Sequence, residues 1–153
     1  MANQKDTRQT LHALIVDWFA NADAEFNVPI APANIIQYMT TPGDSSASPN
    51  WCILASLGSG GQPLVGDDSE EPGRFAILLF SRLDKGSGAE ASREAAEDWL
   101  DDAEEMLVRN LLASVNTDAW LAIDLIGRPI RDLDQKYWGA FRTSQIRIEI
   151  DKR

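Results

Sequence analysis

The sequence holds one cysteine and one histidine, the residue types that most often carry nucleophilic, redox and transition-metal chemistry. With Cys52 alone no intramolecular disulfide can form, and synthesis in a reducing cytosol is the natural expectation. A catalytic thiol also needs a base and an electropositive setting. His12 is distant in sequence, so Cys52, after Trp51 at the start of an apolar run, reads as a small core residue. His12 itself sits beside the apolar arc of an opening helix. No serine or cysteine signature accompanies it, and a helix-surface or edge histidine is expected there. Long hydrophobic runs are lacking too. None approaches the ~18 residues of a membrane span, and the opening Met-Ala-Asn-Gln-Lys-Asp-Thr-Arg has no apolar core of a signal peptide. Positive charge is scarce: 14 Lys and Arg stand against 24 Asp and Glu, for a net charge of −10. That balance disfavours binding the outside of a nucleic acid, where basic residues must neutralise phosphates. It remains compatible with a surface past which DNA slides without sticking.

What is present points to one folded domain. At 153 residues with 44% hydrophobic content and five Trp, the chain can build a core without a second domain. The most informative segment is Ala89 to Ser114. At about 100° per residue, Ala95, Ala96, Trp99, Leu100, Ala103, Met106, Leu107 and Leu111 share one arc of a helix. Glu90, Glu94, Glu97, Asp98, Asp101, Asp102, Glu104 and Glu105 fill the other. The apolar arc must lie on a sheet or helix, and the acidic arc must face water or a partner. An earlier helix is predicted over about 7–24, where Leu11, Leu14, Ile15, Trp18, Phe19 and Ala22 follow helical spacing and Asp6 or Thr7 can cap it. Trp18 and Trp99, each on an apolar arc, are expected to meet between helix and sheet.

Strands are predicted at 35–39, 51–57 and 74–83, the last apolar on both faces and therefore central and covered on both sides. A further strand is expected at 120–126, followed by a turn at Gly127-Arg128-Pro129. The segment 130–134 is ambiguous. The alternation of Ile146, Ile148 and Ile150 with Gln145, Arg147 and Glu149 predicts a half-exposed antiparallel strand. Loops rich in turn formers occupy 40–50 and 58–73, the second as a long hairpin with a possible short strand near 62–65. The order gives an α+β fold, a mostly antiparallel sheet with two main helices packed on one face.

Motifs for chemistry are weak. Gly58-Ser59-Gly60-Gly61 and Gly86-Ser87-Gly88 lack the Lys-Ser/Thr of a phosphate loop, and the acids that follow the second would repel phosphate. Asp67, Asp68, Glu70 and Glu71 do not have calcium-loop spacing, so a solvated hairpin tip is expected. The acidic stripe lacks the aromatic cleft of a glycoside hydrolase. No catalytic, cofactor-binding or metal-ligating residue is assigned, and no cofactor is expected. Trp138, among Tyr137 and Phe141, could anchor an interface from the surface. From Gly127 to Arg153 seven bases outnumber four acids. An acidic middle and a basic end could join copies head to tail, or both could be ordinary solvated faces. On the head-to-tail reading, Glu97, Asp101, Glu104 and Glu105 would meet Arg128, Arg131, Arg142 and Arg147 of a neighbour.

The order of these elements resembles the tail terminator, or tail completion, proteins of tailed bacteriophages. The likeness covers nearly the whole chain. It runs from the amphipathic helix Leu11 to Phe19, through Trp51-Cys52-Ile53-Leu54 and Arg74-Phe75-Ala76-Ile77-Leu78-Leu79-Phe80. It continues in the Ala96 to Leu107 helix pattern, Trp120-Leu121-Ala122-Ile123 and the closing Gln145-Ile146-Arg147-Ile148-Glu149-Ile150. The resemblance implies a non-enzymatic virion protein, assembled in the host cytoplasm. It implies a homo-oligomeric ring, commonly a hexamer, that ends tail-tube polymerisation and joins the tail to the neck. Its partners would be its own copies, the tail tube protein and a neck or connector protein. DNA would be only a passing occupant of the channel, and no membrane is involved. The loops at 41–50 and 58–73 would dock on the tube or neck, with Pro42, Gly43, Asp44, Gly66, Asp67 and Asp68 at their tips. A head–tail connector or another minor tail protein is the alternative within that class. A small cytosolic ligand-binding or enzymatic domain is the alternative outside it.

Overall fold

The computed structural model describes residues 4–38, 48–59, 73–84, 88–116, 122–131 and 141–151. Within them lie helices α1 (Gln4–Ala20) and α2 (Ala89–Ala113). The strands are β1 (Ile35–Ile36), β2 (Asn50–Ser59), β3 (Gly73–Arg82), β4 (Ala122–Leu125), β5 (Ile130–Arg131) and β6 (Phe141–Asp151). The strands form one sheet in the order β1-β2-β3-β6-β4, with β5 also on β6. Every pairing is antiparallel except β1 with β2. The fold is α+β, as the element order predicts.

β3 is central because its side chains are apolar on both faces. Phe75, Ile77 and Leu79 point to the helices, and Ala76 and Phe80 are buried on the reverse. β6 lies between β3 and the β4–β5 edge. Ile77 stands opposite Ile146 and Phe75 opposite Ile148, so the isoleucine row of β6 joins the helix-side core. β4 and β5 occupy the same edge of β6. They are separated by a turn in which Gly127 takes φ 76°, a left-handed conformation that glycine adopts without a Cβ clash. Ile126 N–H donates to the Arg147 carbonyl there at 2.9 Å.

Both helices cover one sheet face. Leu11, Ile15 and Phe19 of α1 pack with Trp99, Leu100, Ala103, Met106, Leu107 and Leu111 of α2 onto Cys52, Leu54, Ile77 and the β6 isoleucines. Burying each such large side chain contributes about 1.5–3 kcal/mol. The predicted α2 arc is buried except for Ala95, which is exposed. α1 ends four residues earlier than its periodicity suggests. Past Ala20, Asn21 N–H and Nδ2 both bond to the Asp17 carbonyl, closing the last turn. Phe19, not Trp18, meets Trp99, with centroids 6.2 Å apart and planes at 7°. The two residues of α1 differ by about 100° in azimuth, and the stacking geometry of Phe19 takes the deeper place.

On the reverse face, Ile53, Phe80 and Phe141 are buried with Ile36, Trp51 and Leu78 around them, and no described helix covers them. Phe80 and Phe141 meet edge to face at 6.2 Å and 84°. At the mouth of the sheet a polar knot replaces apolar packing. Asn50 Nδ2 donates to the Pro29 carbonyl at 2.8 Å, and Ser81 Oγ donates to Asn50 Oδ1 at 2.7 Å. Asn34 Nδ2 donates to the Asn50 carbonyl at 3.0 Å. Asn34, Asn50 and Ser81 are all buried, and these bonds offset their desolvation.

Candidate functional site

The acidic arc of α2 divides into two rows. Glu97, Asp101 and Glu104 follow i, i+4, i+7 spacing and lie over the β5–β6 corner. The register that sets Arg131 beside Ser144 puts both on the helix side of the sheet with Arg142. Arg131 reaches all three acids: Nη1 to Glu97 at 2.5 Å, Nη2 to Asp101 at 2.6 Å and Nε to Glu104 at 2.9 Å. Arg142 holds the other oxygen of Glu97, and Ser144 Oγ donates to Glu104. Glu104 is the most buried acid of the group, at 17% exposure, while Asp101 remains 66% exposed. The hydrogen bond to Glu104 holds the Arg131 guanidinium firmly charged. Partial burial works the other way, and Asp101 adds to the first effect. This cluster fixes the α2 azimuth against the sheet. It pairs three of the four predicted interface acids and two of the four predicted interface bases within one chain, and the fourth acid, Glu105, is paired in the same chain with Arg109.

The second row stays open. Glu90, Glu94 and Asp98, at i+4 spacing, are exposed and make no ion pair among the described residues. Asp102, next along, accepts the Asn27 backbone N–H at 3.1 Å. Glu105 pairs with Arg109 at 2.7 Å, and Arg109 also reaches Glu25 at 2.7 Å and lies over the Phe26 ring at 5.1 Å. These contacts are exposed and worth little stability.

Of the remaining predicted interface bases, Arg128 is exposed in the turn after β4. Arg147 lies on the reverse face beside Ala76, with its Nε buried and unpartnered. The loop-tip candidates Pro42, Gly43, Asp44, Gly66, Asp67 and Asp68 lie outside the described residues, as do Glu70, Glu71 and Trp138.

Cys52 is fully buried and burial pushes its thiol far up from its ordinary pKa, which leaves it unreactive in the fold. His12 Nε2–H donates to the Ile35 carbonyl at 2.8 Å, so it caps the β1 edge. Among the described residues no group of three His, Cys, Asp or Glu could hold a metal ion, and no helix is long and apolar enough to cross a membrane. A cleft of about 530 Å³ opens between the first half of α2 and the start of β2. Trp99, Asn50 and Ser81 line it, with Asp84, Asp98 and Asp102 among the surrounding side chains.

Sequence reasoning missed Ser144 as a partner of the helix acids and Asn34 and Asn50 as the polar knot. Their partners stand 16 to 40 residues away in sequence, and no local pattern marks them. Comparison with protein-family models and with curated proteins finds no match for this chain.

Proposed function

We propose that this chain is a structural protein of a tailed phage. It forms a ring at the head-proximal end of the tail tube, ends tube polymerisation and joins the tail to the neck around a DNA channel. It does so without catalysing a reaction, and it resides in the virion after assembly in the host cytoplasm. One observation carries the reading: the open row Glu90, Glu94 and Asp98 on a helix whose other acidic row is clamped to the sheet. Clamping fixes a line of acids without ion pairs among the described residues to a rigid element. A rigid negative line repels DNA phosphates without binding them, as a channel wall requires, or receives the bases of a neighbour. Arg128, exposed and outside the clamp, is the base best placed for such a neighbour, whereas Arg131 and Arg142 act first within their own chain. The tips around Pro42, Gly43, Asp44, Gly66, Asp67 and Asp68 remain the proposed docking points for tube and neck.

Light scattering across salt and concentration, followed by negative-stain imaging with and without tail tubes, tests the reading. Rings of uniform size that cap tube ends are expected. A monomer that neither closes alone nor on tubes would overturn it. The 530 Å³ cleft favours the ligand-binding alternative, and a small-molecule screen whose hits Asp98→Asn abolishes would move the assignment there.

A further inference from the structure

An opening between α1 and the β1 edge, about 500 Å³ in volume, is lined by Arg8, His12, Ala33, Ile35, Ile36, Gln37 and Tyr38. Among the described residues no carboxylate lines it, in a chain with 24 of them. Arg8 and His12 stand one helical turn apart on α1 and so face the same way. The Arg8 Nε is buried with no hydrogen-bond partner, and its guanidinium enters no ion pair among the described residues. A buried, unpartnered donor of a permanent cation is a costly arrangement that an acceptor in the opening would relieve. The Ile35 carbonyl can only accept, so His12 carries its proton on Nε2 and leaves Nδ1 free of any described partner. Tyr38, 68% exposed, and Ile36 line the opening beside these polar groups.

We propose that this opening is an anion site for an organic phosphate or carboxylate. Arg8 donates to the oxyanion, and the organic body lies on Tyr38 and Ile36. The site is independent of the ring reading, since it uses none of the α2 acids.

The test is a titration of the full chain at low ionic strength, followed by amide and side-chain NMR, with phenyl phosphate, benzoate and inorganic phosphate as separate probes. Shifts confined to residues 8–12 and 33–38 are expected, with the phenyl-bearing probe binding more tightly than inorganic phosphate. The preference between phenyl phosphate and benzoate identifies the oxyanion. Arg8→Gln is expected to weaken binding by about tenfold or more, the effect of losing a charge-assisted bond. Tyr38→Ala, at an exposed position that the fold tolerates, is expected to erase the advantage of the phenyl probes but not the binding of inorganic phosphate. Absence of shifts in these residues with all three probes, or equal affinity in a folded Arg8→Gln chain, would overturn the proposal.

Discussion

Two rows of acids on one helix have opposite fates. Glu97, Asp101 and Glu104 lie under Arg131 and Arg142 and lock α2 to the sheet, whereas Glu90, Glu94 and Asp98, on the same helix, make no ion pair among the described residues. Their local chemistry is the same. The difference lies in what the sheet presents: the β5–β6 corner offers two arginines and a serine, and the first turns of α2 extend beyond it. Charge content therefore does not tell paired from open acids; the facing element does.

Breaking the clamped row should have the largest effect. Arg131→Met leaves Glu104 largely buried with only Ser144 beside it, and a loss of about 2–3 kcal/mol is expected, below the range for fully buried pairs because Asp101 is exposed. Thermal unfolding should register it as a fall of roughly 4–10 °C. A shift under 1 °C would mean the clamp is decorative. Arg142→Met removes one partner of a half-exposed Glu97 that keeps Arg131, so about 1 kcal/mol is expected in urea unfolding. Ser144→Ala costs less again, on the order of 0.5–1 kcal/mol, as one hydrogen bond to a carboxylate that retains Arg131. Neutralising the open row with Glu90→Gln, Glu94→Gln and Asp98→Asn should change stability by no more than about 0.5 kcal/mol, with a gain from reduced repulsion. On the proposed ring function, the same triple change should alter assembly or DNA passage. If it unfolds the chain instead, the two rows are not different in kind.

The helices and the central strand were legible because burial imposes a period that can be counted: seven of the eight predicted apolar positions of α2 are buried. The double-faced apolar run of β3 marked the middle of the sheet for the same reason. The site was less legible. Arg131 and the α2 acids were singled out as contact residues, but opposite charges on two segments read alike whether they meet within a chain or between chains. Only the pairing of Arg131 with Ser144 decides it. β5 was ambiguous because a two-residue strand has no period of its own and exists by its register on β6. Phe19 and Trp18 were confused because adjacent residues both border the apolar arc, and packing chooses between them.

The place of β6 has a consequence for biosynthesis. This strand enters between β3 and β4, so translation must pass Asp151 before β3 gains its second neighbour. Until then the nascent chain holds a central apolar strand with one bare edge, and β4 has no strand to pair with. Such an intermediate invites edge-to-edge association, and its lifetime is set by the arrival of residues that are distant in sequence. Chaperone demand during synthesis should therefore track the supply of β6, and a slow stretch of codons just before Phe141 should lower the soluble yield more than one placed before α2.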